Sequence, residues 1–454
     1  MTKFLLIIVV LLLAVIVSAV QNNKSSKLLT ILNDWLSAPE ADQKLSTLSK
    51  DIHSLYVNTK AEAEMICRGL EYLKAQFSAK NYANLNDNLY TLALLFQRVK
   101  SKQAYRVLNE RGIPLLVEIF NLYRNAAEEE IPRDSFRKPD VFILKILAQY
   151  NNPAGTKTLI EAIKSNYKPD NYRWHLIFDT VAENDRYNTI IGELGEFLPA
   201  DFAGISYLDM CNRLAIEGKL SKHPFDNEPG YQFLRKLLQN QDPDEFTYAV
   251  SATAALPFIN SRYQTELFKL ASGHPDIDVR IETAWAGAKL GDEESLQQLV
   301  EFAKDYRYGK KPVRYLKELG KESLAPAETK DEDFQALVEL CHWLSHPNEF
   351  GSYPDAARIV DKRELYWPPT EDRRTMYIIE YTYKNYNEDG SDKIGVGMVG
   401  SITFCLFGIE GLANYSPEEI YAIHCAWELD LEDYENPETS LEILRRYNRP
   451  LRKG

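Results

Sequence analysis

The residue types best able to do chemistry in this chain are few and scattered. Glu339, Cys341, His342 and His346 share one stretch whose apolar spacing predicts a helix. Histidines four residues apart fall on one helix face, where two imidazoles can hold a metal. No glutamate lies between them as in the zinc-protease motif, and no third ligand is marked, so they are read as ordinary helix residues. His424 and Cys425 suggest a base beside a nucleophile, but neighbours on a helix point about 100° apart and cannot pair. Gly395-Val-Gly-Met-Val-Gly400 matches the G-x-G-x-x-G spacing of dinucleotide sites. That fingerprint must follow a strand and open a helix, whereas these glycines begin a predicted strand.

The acidic run Glu428, Asp430, Glu432, Asp433, Glu435 and Glu438 lacks the spacing of a calcium loop and reads as a solvated helix end. The basic tail, Arg445, Arg446, Arg449, Arg452 and Lys453, either pairs with that run or meets an anionic surface. Tyrosine occurs 27 times, and its first use is to fill the core between loosely matched helices. The set that would otherwise line a recognition surface is Tyr353, Tyr366, Trp367, Tyr377, Tyr381 and Tyr383. No residue is assigned as catalytic, cofactor-binding or metal-ligating.

These residues sit in 454, enough for about three domains or one long repeat array. With 45% hydrophobic and 26% charged residues, the composition excludes a disordered or fibrous chain. Lys plus Arg number 53 against 66 Asp plus Glu, a net charge of -13, which argues against a nucleic-acid partner. The five cysteines, Cys67, Cys211, Cys341, Cys405 and Cys425, are odd in number and far apart. They read as buried small hydrophobes with at most one pair joined.

Residues 1–20 carry an address. Lys3 precedes an apolar run from Phe4 to Val17, and Val17-Ser18-Ala19 supplies a small-residue exit, the pattern of a secretory signal cleaved after Ala19. The competing reading is a retained anchor over residues 4–20, at the short limit for a spanning helix. The chain is therefore expected to be exported, periplasmic or extracellular, or tethered by this segment, its only link to a membrane.

Residues 21–131 form a helical region by their three- and four-residue apolar spacing, and 132–350 repeat themselves. Pro243–Leu270 laid over Pro275–Phe302 at an offset of 32 aligns Ala252 with Ala284, Ala254 with Ala286 and Leu267 with Leu299. A period in the thirties with two helical patterns per unit signals stacked hairpins that bury their apolar faces only against one another. In the best unit, 274–305, Pro275 is expected to open the first helix, Val279, Ala284, Ala286 and Ala288 to form its packing side, and Leu290-Gly291-Asp292 to turn into the second.

This unit resembles a HEAT repeat of the short, phycobilin-lyase-like type, through Pro275, Asp276, Asp278, Val279, Arg280, Ala284, Ala286, Leu290, Gly291, Asp292 and Leu299. The copy from Pro243 lacks the Val-Arg pair and the Leu-Gly-Asp turn. The resemblance implies that Asp278 and Arg280 are structural, tying adjacent repeats, and that function lies in a curved docking surface. Some relatives attach bilins to proteins, which leaves a cofactor-handling lyase as one alternative, although the export signal argues against it and no cofactor is expected.

Residues 351–454 change character. Met376–Tyr383 alternates with Tyr377, Ile379, Tyr381 and Tyr383 on one face, and Val396–Phe407 reads as its partner strand, each with one wet side. Ser416-Pro417-Glu418-Glu419 opens a helix with Ile420, Ile423, His424, Trp427 and Leu431 inward. The expected fold is mainly α, an irregular α-solenoid of HEAT-like hairpins followed by a small α+β module. The expected function is a non-catalytic scaffold for a protein partner. The alternative is an enzyme with its site in the last module, using Glu380, His424 or Cys425.

Overall fold

The computed structural model describes residues 27–37, 45–48, 52–82, 84–125, 139–165, 167, 173–240, 242, 246–401, 405–408 and 415–448. The apolar segment 4–20 lies outside the described residues, as do Arg449, Arg452 and Lys453. Among the described residues no helix is long and apolar enough to cross a membrane. The chain divides into two compact units, Met1–Leu237 with Phe258–Tyr263, and Leu238–Pro257 with Gln264–Gly454.

The protein is mainly helical. The helices up to the second unit are α1 (27–37), α2 (Leu45–Leu48), α3 (Lys60–Ser78), α4 (Leu85–Phe96), α5 (Lys102–Val107), α6 (Ile113–Asn125), α7 (Pro139–Gln149), α8 (Pro153–Lys164), α9 (Trp174–Glu183), α10 (Tyr187–Leu194), α11 (Asp201–Ile216) and α12 (Glu228–Gln239). Their starts are written locally: at α3, Thr59 and Glu62 form a reciprocal capping box. Their sides are fixed by period, and Ala63, Ile66, Leu70, Leu73 and Phe77 make one buried stripe on α3. α7 packs on α8 and α9, α9 on α10 and α11, and α6 and α10 both on α8. Arg186, just ahead of α10 and 5% exposed, donates to the carbonyl of Tyr150 and to the Thr156 hydroxyl. The same guanidinium also reaches the carbonyls of Leu147 and Ala148, in the last turn of α7, which the helix itself leaves unpaired.

The second unit continues with α13 (Phe246–Ala254), α14 (Ser261–Ser272), α15 (Ile277–Lys289), α16 (Glu293–Ala303), α17 (Lys310–Glu318) and α18 (Glu332–Leu344). α15 packs against α13, α16 and α17. Pro275 does not open α15. Asp276 is the N-cap, its carboxylate accepting from the amides of Asp278 and Val279, so the proline stands one residue outside. The packing side is also wider than the alanine set, because every residue from Val279 to Gly287 except Arg280 is buried while Ala288 is half-buried. Gly291 turns at φ +92° and Asp292 caps α16.

The last part is a four-stranded antiparallel sheet, β1 (Ala356–Trp367), β2 (Asp372–Tyr383), β3 (Lys393–Val399) and β4 (Cys405–Gly408), in sequential order. It is followed by α19 (Pro417–Glu428) and α20 (Pro437–Asn448). Two expectations are corrected. The single strand 396–407 is two, β3 and β4 pairing Val396 with Phe407, because Gly400 at φ +106° breaks the extended run. Neither face is wet: Met376, Ile378, Val396 and Met398 pack under α19 and α20, while Tyr377, Ile379, Tyr381, Tyr383 and Val399 pack against α18. A further strand, β1, completes the sheet, with a bulge between Ile359 and Asp361.

Candidate functional site

Two polar clusters in the second unit hold the residue types that chemistry needs. One is built on α19. Ser416 and Glu419 form its capping box, which fixes the start of the helix and so the direction of every later side chain. His424 and Glu428, four residues apart, share one face. Their side chains are 0% and 2% exposed, with His424 Nε2 3.1 Å from Glu428 Oε1. The other glutamate oxygen accepts from Trp367 Nε1 at 2.6 Å, and His424 Nε2 lies 2.9 Å from Ser401 Oγ. Trp367 and Trp427 flank the imidazole at 6.0 and 5.5 Å between ring centroids.

Serine, histidine and glutamate together resemble a hydrolytic triad, but the wiring is wrong. A triad places the hydroxyl on one imidazole nitrogen and the carboxylate on the other. Here both meet Nε2, and Nδ1 has no hydrogen-bond partner among the described residues. A carboxylate 3.1 Å away keeps the hydrogen on Nε2, so that nitrogen has no lone pair with which to take a proton from Ser401. Cys425 is buried in the core beneath the sheet, and burial pushes its thiol up to about 12, away from the reactive thiolate. Glu380 is held by Arg358 across the β1–β2 pair at 2.7 and 2.8 Å. Glu380, His424 and Cys425 therefore do not converge on one cleft. The inward side expected for α19 is also narrower, since Trp427 and Leu431 are 44% and 36% exposed.

α18 ends at Leu344, so His346 lies beyond the helix, where Nδ1 accepts from the amide of Asn348. His342 and His346 are thus not a helical pair, and Cys341 is buried with its thiol pushed up to about 12. Among the described residues no group of three His, Cys, Asp or Glu could hold a metal. The glycines of the 395–400 stretch admit neighbours: a Cβ at Gly397 would meet Leu340 of α18, and Gly395 lies beneath the Tyr381 ring. Arg445 forms a two-pronged pair with Glu418 of α19, outside the acidic run. Cys67, Cys211, Cys341 and Cys425 are free and buried.

The aromatic set is split. Trp367 belongs to the core beneath α19, and Tyr377, Tyr381 and Tyr383 to the core facing α18, all at most 5% exposed. Tyr366 is half-buried and stacks on Tyr447. These five do not make one surface. Tyr353 alone leads to an open site.

That site is a recess of about 520 Å³ where the start of α15, the 307–308 turn and the 345–355 loop meet. Asp276 caps α15, Asp278 and Arg280 lie in its first turn, Arg307 and Tyr308 come from the turn, and Tyr353 and Asp355 from the loop. Tyr308 and Tyr353 meet edge to face at 5.8 Å. The Tyr353 hydroxyl donates to Asp278 Oδ1 at 3.4 Å, and burial pushes that phenol up. Asp305 grips Arg307 through both carboxylate oxygens, so this cation is already neutralised. Lys311 of α17 sits 3.4 Å from Asp278 and 3.1 Å from Glu282 one turn on, joining α15 to α17. Asp278 thus touches the neighbouring helix, whereas Arg280 lines the recess, exposed and with no side-chain partner among the described residues. Only the spacing of Asp276, Asp278 and Arg280 on one helix start was visible in the sequence. Set against protein families, curated proteins and solved structures, the chain matches none.

Proposed function

We propose that the protein is a non-catalytic binding protein, an α-solenoid of HEAT-like hairpins ending in the α+β module, which docks a protein partner. Residues 4–20 would direct it to export or tether it to a membrane. The observation that carries this reading is the contrast between the two polar clusters. The cluster with catalytic residue types is closed, with His424 fully buried and both partners on one nitrogen. The open recess holds charges, tyrosines and two serines, and among the described residues neither Ser345 nor Ser352 is hydrogen-bonded to an imidazole or a carboxylate.

The helix packing supports the array. In a stack of hairpins, each helix must lie against the one two places along the chain. α7 on α9 and α9 on α11 do so in the first unit, and α13 on α15 and α15 on α17 in the second. The resemblance of 274–305 to a HEAT repeat agrees with that order, and such an array offers surface rather than chemistry.

The test is labelling of the full chain with a fluorophosphonate, which reacts with serines activated by a histidine. No labelling at Ser401 is expected. Labelling that His424→Ala abolishes would overturn the non-catalytic reading and make the α19 cluster a hydrolytic site.

A further inference from the structure

The charges around the recess are unevenly matched. Asp276 accepts from the amides of both Asp278 and Val279 through one carboxylate oxygen, Oδ1, which satisfies two of the donors at the start of α15. Arg307 is held by Asp305. Asp355 accepts from the amide of Lys384 through one oxygen. Arg280 is the charge with no partner among the described residues, and it stands one helical turn beyond Asp276.

A purely anionic ligand at Arg280 would share the recess with the carboxylates of Asp276, Asp278 and Asp355. A purely cationic one would be repelled by Arg280 itself. A ligand with both signs satisfies each side, and the tyrosine pair offers an apolar, hydrogen-bonding wall for the stem between them.

We propose that this recess binds a molecule carrying a carboxylate and an ammonium group a few ångströms apart, the carboxylate on Arg280 and the ammonium on Asp276 and Asp355, each of which uses only one carboxylate oxygen among the described residues. Two sources share that chemistry, a free amino acid and a polypeptide chain ending in lysine. The proposal deepens the binding reading above and rests on it. The ligand lies along α15, its stem against Tyr308 and Tyr353, and only its charged ends are recognised.

The test is calorimetric titration of the full chain with five probes: free L-lysine, free L-alanine, acetyl-Gly-Gly-Lys with a free carboxylate, the same peptide amidated, and acetyl-Gly-Gly-norleucine with a free carboxylate. Saturable binding by a free amino acid or by the first peptide supports the proposal, and which of them binds identifies the source. Where the peptide binds, amidation or loss of the ammonium should each weaken it at least about tenfold, as expected for a charged hydrogen bond. Arg280→Ala, at an exposed position, should weaken the binding probe by a similar factor, and Arg280→Lys should restore part of it. Asp355→Asn, which can still accept from the Lys384 amide, should weaken the ammonium-bearing probe and leave the norleucine peptide unchanged. Equal binding of singly charged and dipolar peptides, no saturation by any probe, or an unaltered titration with Arg280→Ala would overturn the proposal. None of those results touches the fluorophosphonate test, so the two failures are distinguishable.

Discussion

The sheet approaches α18 only because position 397 lacks a side chain, and replacing Gly397 by alanine tests that packing directly. The added Cβ would stand 2.3 Å from Leu340 Cδ1 and 3.1 Å from Cδ2, where ordinary contact begins at 3.4 Å. Leu340 is 0% exposed and pressed among Ile379, Tyr381 and Val399, so it cannot swing into solvent. Relief requires α18 to lift by about 1 Å or Leu340 to leave its rotamer, which costs about 1–3 kcal/mol. The entropy gained on replacing a strand glycine offsets about 0.5–1 kcal/mol of that. The net expectation is a loss of about 1–2 kcal/mol, read as amides of β3 exchanging hydrogen about 5- to 30-fold faster. Two controls sharpen the result. Gly192→Ala, in α10 with nothing within 4 Å of its added Cβ, should stabilise the first unit. Leu340→Ala costs about 2–5 kcal/mol alone, but combined with Gly397→Ala it should cost less than the two together, because the cavity of one receives the methyl of the other. Unchanged exchange in Gly397→Ala, or strict additivity in the double variant, would refute the close approach of α18 to β3.

Two further predictions concern buried polar groups. Trp367→Phe keeps the aromatic packing but removes the 2.6 Å donor to Glu428; it should lower stability by about 1–3 kcal/mol in thermal melts, and no loss would mean that the carboxylate does not depend on that bond. His223 is 3% exposed, its Nδ1 accepts from the Phe225 amide at 3.3 Å, and Asn212 Oδ1 lies 3.2 Å from Nε2, so both nitrogens are used by the neutral ring. Burial lowers its pKa from 6.5 to about 4. The unfolded chain therefore binds the extra proton between those values, and the first unit should lose on the order of 3 kcal/mol as pH falls from 6.5 towards 4. Urea unfolding across that range should show the slope, and His223→Gln should flatten it; an equal slope in the variant would remove His223 as its source.

Helices were legible in the sequence because their signals are local. Ser416 and Glu419 cap, Gly291 turns, and apolar residues recur at three and four places, all within one helix length, although at α15 the opening was read one residue early, at Pro275 in place of Asp276. The sheet was half legible. Met376–Tyr383 alternates as a strand bordering solvent would, yet both of its faces are covered, and the second cover, α19 with α20, comes some forty residues later. Alternation reports chemistry along a strand, not what the rest of the chain brings to it. The break at Gly400 was hidden by the apolar run on either side. β1 was missed since Arg358, Asp361, Lys362, Arg363 and Glu364 place charges throughout it; several of them pair across strands or with α18, as Arg358 does with Glu380 and Lys362 with Asp333.

The sites show the same division between local and distant information. His424 and Glu428 could be paired from their spacing, but Ser401 and Trp367 reach them from other elements, and only those contacts decide the chemistry. With Glu428 on Nε2, the cluster clips α19 to Trp367 at the end of β1 and to Ser401 beyond β3. A buried network of this kind fixes where a helix sits on a sheet more than it adds net stability. The recess has the opposite character, since Arg280 is left without a protein partner among the described residues and Asp276 uses only one carboxylate oxygen, while Asp278 is paired with Lys311. Charge left unmatched at an open surface costs the fold little and remains free for a ligand, whereas the charge buried under α19 is consumed in holding the module together.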